Sequence, residues 1–189
     1  MPEAPEPAKM VWALPHDVLR GPRGTLYVGG AVDAELLLVE RDDIVIGARH
    51  FTAYPDGFGF VLHIWLSEPE YDLFELTDTL AHNPRRRGKQ DRKHVYMGVE
   101  LPDGTAVRGS YDGMHIDEPR LELYHHWVLD EHYQGELVAR VAAPESGSVT
   151  LVLDWAARGI VEARASIDAG LLYNAARHAR PLFAVADRP

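Results

Sequence analysis

The sequence predicts an all-β fold, an antiparallel two-layer β-sandwich of immunoglobulin-like type with one C-terminal α-helix. Three observations carry this. Apolar residues cluster in short runs rich in β-branched and aromatic side chains, proline-glycine turn signals separate the runs, and only one stretch has clear helical periodicity. At 189 residues the chain has the length of one domain. It is expected to comprise an N-terminal tail at 1–9, rich in proline and glutamate, and a single domain at 10–183 with its helix at about 169–180.

Proline cannot donate to a sheet ladder, so its absence marks the windows that hold strands. Within them the runs are 35–40, 43–53, 58–66, 94–101, 121–129, 148–155 and 161–167. Tyr54-Pro55-Asp56-Gly57 and Leu101-Pro102-Asp103-Gly104 each set proline where φ is fixed near −65° and glycine where φ is expected to be positive. The first joins two strands as a tight hairpin, and the second leads to a short strand near 105–108. Gly159 supplies the left-handed residue of a third connection. In 58–66, Phe58, Phe60, Leu62 and Ile64 alternate with Val61 and Trp65. A strand apolar on both faces is covered on both. The covers expected are the opposing sheet on one side and the C-terminal helix or a second subunit on the other.

The helix begins at Asp168, whose carboxylate suits the orphan N–H groups of the first turn. Leu172, Ala175, Ala176, Ala179 and Phe183 fall on one face, Ile167 and Leu172 hold staple positions, and Pro181 is expected to stop it. A weaker helical pattern covers 71–80 through Leu73, Phe74, Leu76 and Leu80.

Three stretches resemble a family of uncharacterised actinobacterial proteins: Asp43-Ile44-Val45 leading to Ala53-Tyr54-Pro55-Asp56-Gly57-Phe58, Val99-Glu100-Leu101-Pro102-Asp103-Gly104, and Trp155 through Gly159-Ile160 to Glu162. Where members often carry proline, this chain has Ala156 and Val161. The resemblance implies a fold and a lineage, and it assigns no functional residue.

The chain contains no cysteine, which excludes disulfides, thiolate metal sites and a cysteine nucleophile. Its longest apolar stretch is far shorter than the roughly 18 residues of a membrane span, and the N-terminus has no signal-peptide pattern. A cytoplasmic location without membrane contact is therefore expected. A net charge of −10 disfavours nucleic acid on average. One segment runs against that average: Arg85, Arg86, Arg87, Lys89, Arg92 and Lys93 form an anion-binding candidate for phosphate, RNA or an acidic partner. The acidic residues Glu68, Glu70, Asp72, Glu75 and Asp78 precede it, so mutual neutralisation in a solvated connection is the plainer reading.

The segment His125-His126-Trp127-Val128-Leu129-Asp130-Glu131-His132 has metal-ligating side chains. A metal-dependent hydrolase would use His125 or His126 with His132 and Asp130, since neighbours on a strand face opposite ways. Helical or cysteine-containing metal motifs are missing, and neither metal nor cofactor is expected. Ser146-Gly147-Ser148 reads as a hairpin loop, not a nucleophile elbow. The segment 112–118 lacks calcium-loop spacing and reads as a solvated turn. Without a catalytic constellation, the leading expectation is a non-enzymatic sandwich that contacts a partner protein or forms a homodimer.

Overall fold

The computed structural model describes residues 18–20, 26–68, 95–108, 119–129 and 132–183, with backbone alone at 18–20, 108 and 124–129. The strands are β1 (Val18–Arg20), β2 (Leu26–Val28), β3 (Gly30–Val32), β4 (Leu36–Glu40), β5 (Ile44–Tyr54), β6 (Gly57–Leu66), β7 (Tyr96–Glu100), β8 (Ala106–Arg108), β9 (Leu121–Leu129), β10 (His132–Ala139), β11 (Ser148–Trp155), β12 (Ile160–Asp168) and β13 (Arg180–Pro181). Among the described residues one α-helix, α1 (Ala169–Ala176), follows β12.

All pairings among the described residues are antiparallel. A six-stranded sheet has the order β3-β5-β6-β10-β9, with β4 also paired to β5. A four-stranded sheet runs β12-β11-β7-β8, and a small sheet runs β1-β2-β13. The described residues are thus mostly antiparallel β-structure, as the alternating runs predict.

Alternation puts Phe58, Phe60, Leu62, Ile64 and Leu66 of β6 on the inner face. Val149, Leu151, Leu153 and Trp155 of β11 and Met97 and Val99 of β7 belong to the same buried cluster. One apolar core therefore joins the two larger sheets. Each fully buried side chain of this size contributes about 1.5–3 kcal/mol by leaving water. Gly135 on β10 leaves room for an aromatic neighbour: a Cβ there would lie 2.8 Å from the Tyr133 hydroxyl oxygen. Arg41 spans from the β4–β5 turn, where it pairs bidentately with Asp43, to the carbonyl oxygen of Arg158 at 2.8 Å. It thereby ties the first sheet to the turn between β11 and β12.

The turns differ in one detail from the sequence expectation. Gly104 and Gly159 have φ of 85° and 64°, as required of left-handed residues. Gly57 does not have positive φ. Glycine is needed there because a Cβ would meet the Ala139 carbonyl oxygen at 2.3 Å, where β6 runs against β10.

Asp168 caps α1, accepting from the Gly170 N–H at 2.8 Å. The helix is shorter than expected and ends at Ala176. The His178 and Ala179 N–H groups then bond back three residues to Ala175 and Ala176. Arg180 and Pro181 pair with Val28 and Tyr27 of β2. Pro181 is thus part of an edge strand, where its missing N–H costs no ladder bond. The helix also occupies a different place from the one expected. Ala169, Leu172 and Ala175 join the inter-sheet core, and α1 packs against β5, β3 and β12. Phe183, expected on the buried face, is 68% exposed.

The second face of β6 is buried all the same, through Val61 and His63. At its Gly57 end, Tyr54 and Val138 form a small cluster with Tyr27 of β2. The small sheet thus supplies apolar contact at one end of the face for which the C-terminal helix or a second subunit was the expected cover. The expected tail at 1–9, the helical pattern at 71–80 and the segment 112–118 lie outside the described residues.

Candidate functional site

At the far end of the same outer face, three parallel rings meet. Trp65 on β6 stands opposite His132 on β10, and His63 precedes Trp65 by two residues on the same face. His63 Nδ1 and His132 Nε2 are 3.0 Å apart, with ring planes within 6° and centroids 5.2 Å apart. That centroid separation is nearly the greatest that so short a nitrogen–nitrogen contact allows. The two imidazoles therefore meet edge to edge in one plane, and one ring donates an N–H to the other's lone pair. Trp65 is parallel to both, with centroids at 5.1 Å from His63 and 5.0 Å from His132. An indole this close cannot share their plane, so it stacks offset across the pair.

A bulge in β5 completes the cluster. Arg49 pairs with Val61 and Thr52 with Gly59, so His50 and Phe51 together face one residue of β6. His50 takes up the extra length with φ of 54°, a left-handed conformation that histidine tolerates better than most side chains. Phe51 is thereby turned into the core while Arg49 and His50 both stay at the surface. The Arg49 guanidinium lies 5.9 Å from the centre of the Trp65 ring, and the His50 ring is 6.2 Å from that of His63.

The electrostatics are one-sided. Burial, then the nearby positive charge of His132, His50 and Arg49, holds His63 down to about 4. Burial also lowers His132. The His63 Nε2 atom is buried and has no hydrogen-bond partner among the described residues. Whichever tautomer His63 adopts, either an N–H or a lone pair at Nε2 is left without a complement.

A base so weak is largely unsuited to general-base work at neutral pH. Two lone pairs aimed at each other across 3.0 Å leave space for a proton, whereas metal–nitrogen bonds of about 2.0–2.1 Å need converging lone pairs or a wider gap. Among the described residues no group of three or more histidine, aspartate or glutamate side chains could hold a metal ion.

Of the residues singled out in the sequence, His132 is brought into this cluster. Its partners there are His63 and Trp65, which sequence reading noted only as part of a doubly covered strand. The register sets His125 level with Glu136 and His126 level with Gly135. His125 is thus four residues, about 13 Å, along the sheet from His132. The side chains of His125 and His126 lie outside the described residues, as do Asp130 and the basic segment with Arg85, Arg86, Arg87, Lys89, Arg92 and Lys93. Ser146 and Gly147 occupy an exposed loop before β11, and Gly147 has φ of 95°. No described helix is long and apolar enough to cross a membrane. No family model, curated protein or solved structure matches the chain.

Proposed function

We propose that the chain is an immunoglobulin-like sandwich that acts by contact with a partner protein or a second copy of itself, without catalysing a reaction. Strand order supports the architecture. Lettered A, B, C, C′, D, E, F and G in chain order, β5 to β12 fall into the sets A-B-E-D and G-F-C-C′, with antiparallel neighbours throughout. Immunoglobulin-type domains divide their strands into the same two sets, which supports this reading. Such domains join B to F by a disulfide, and here Leu62 of β6 and Leu151 of β11 are fully buried in the shared core. The actinobacterial lineage and the cytoplasmic location belong to the same proposal and rest on the sequence alone.

The observation that carries the contact reading is the side where β4 and β12 meet. Each is a terminal strand of its sheet, and the two pack on one another without pairing. Leu37 on β4 is 53% exposed and Val161 on β12 is 75% exposed. Large apolar side chains held in solvent on adjoining edge strands are suited to contact with another chain. The hydrolase reading draws less support, because the register separates His125 from His132.

Leu37→Glu and Val161→Glu test this directly. Both side chains are exposed, so the folded state should survive each change. Sedimentation equilibrium and affinity capture from the native host should find an associated wild type and a variant that loses the contact. A wild type that stays monomeric at all concentrations and retains no stoichiometric protein would overturn the proposal.

A further inference from the structure

The hydrogen-bonded histidines lie between the two central strands of the larger sheet, a place that the contact function does not use. We propose that the His63–His132 pair is an acid-responsive latch between β6 and β10, closed while the pair carries at most one extra proton and opened by the second. The inference is independent of the partner-binding reading.

Proton balance follows from the ring geometry. In the neutral pair each imidazole carries one proton, and one of the two N–H groups fills the bridge. If His63 Nδ1 donates, the first added proton goes to His63 Nε2. If His132 Nε2 donates, it goes to His132 Nδ1. In both cases one N–H and one lone pair still face each other across the 3.0 Å gap, and the bond becomes charge-assisted. The second proton leaves two N–H groups pointing at each other with no acceptor between them. That state is incompatible with the observed contact, and the rings must separate.

Among the described residues, burial and the cations on β5 resist charging of the pair. From β5 the charged or titratable groups are Arg49 and His50, both acting to keep His63 neutral. From β10, Glu136 stands level with Val61 and Arg49, one pair beyond Gln134 on that face. On β9 the positions level with His63 and Trp65 are Trp127 and Leu129, which do not titrate. Asp130 and Glu131, which precede His132 in the chain, lie outside the described residues. Trp65, stacked across the pair, must shift when the rings part, so opening reaches the outer ends of both strands.

Amide hydrogen exchange on the whole chain between pH 7.5 and 3 tests the latch, with rates corrected for intrinsic pH dependence. Long-range ¹H–¹⁵N spectra of the imidazoles should report the protonation steps in parallel. Amides of 61–65 and 132–134 are expected to lose protection by about tenfold or more as the second proton binds, while those of β11 and β12 hold. His132→Gln should abolish the step, and His63→Gln gives an independent check if it folds. Protection that is flat down to pH 3, below the value of about 4 to which His63 is held, would overturn the proposal, as would a step that persists in His132→Gln.

Discussion

A Cβ added to Gly30 would lie 1.9 Å from the Ala175 carbonyl oxygen, a backbone atom that cannot swing aside, whereas Gly104 faces open space and is constrained only by its φ of 85°. Gly30→Ala must push α1 off β3 and should cost about 1–3 kcal/mol or more. Gly104→Ala should cost only about 1 kcal/mol, the penalty of a left-handed alanine. Urea midpoints of the two variants give the order, and equal or reversed losses would refute the close approach of helix and strand. His63 adds a pH dependence at the same scale. Its folded value near 4 lies below the ordinary 6.5, so the unfolded chain binds more protons between those limits. Stability should be complete above about pH 6.5 and fall as pH drops towards 4, by of order 1–3 kcal/mol. Comparing wild type with His63→Gln across that window checks the sign. A wild type that becomes more stable on acidification relative to the variant would contradict it. The cluster was not legible as a site in the sequence. His63 and His132 are separated by sixty-nine positions, and nothing local to either one specifies the register that brings them together.

At the scale of elements, α1 separates buried from exposed positions sharply. Leu172→Ala removes a fully buried side chain from the inter-sheet core and should cost about 2–5 kcal/mol. Phe183→Ala should change stability by less than about 0.5 kcal/mol, because its ring is mostly in solvent. An unchanged midpoint for Leu172→Ala would make the helix an appendage, and a large loss for Phe183→Ala would restore it to the buried face. The start of this helix was readable, since Asp168 caps through its own side chain. Its end was not, because pairing of Arg180 and Pro181 with β2 depends on residues more than 150 positions away. The same contrast holds for strands. β5, β6, β9 and β11 announce themselves by apolar alternation. β10 was missed because Gln134, Gly135 and Glu136 break its pattern, and it is held by neighbours on both sides.

For the whole molecule, the single apolar cluster spanning both larger sheets implies cooperative unfolding. Far-ultraviolet dichroism and tryptophan fluorescence should give coincident denaturation curves, although Trp65 and Trp155 belong to different sheets. Separated transitions would mean that the sheets are independently stable. Pairing of β6 with β10 and of β7 with β11 closes long loops before it yields contacts, so refolding should take about milliseconds to seconds. The sequence by itself determined the class of this protein, because period-two alternation, turn residues and a capped helical stretch are local and act through backbone sterics and burial. Tertiary structure alone decided which strands pair, that a bulge turns His50 outward, and that His63, Trp65 and His132 share one end of a face. Those outcomes depend on register between distant segments, and register is set by the fit of the whole core.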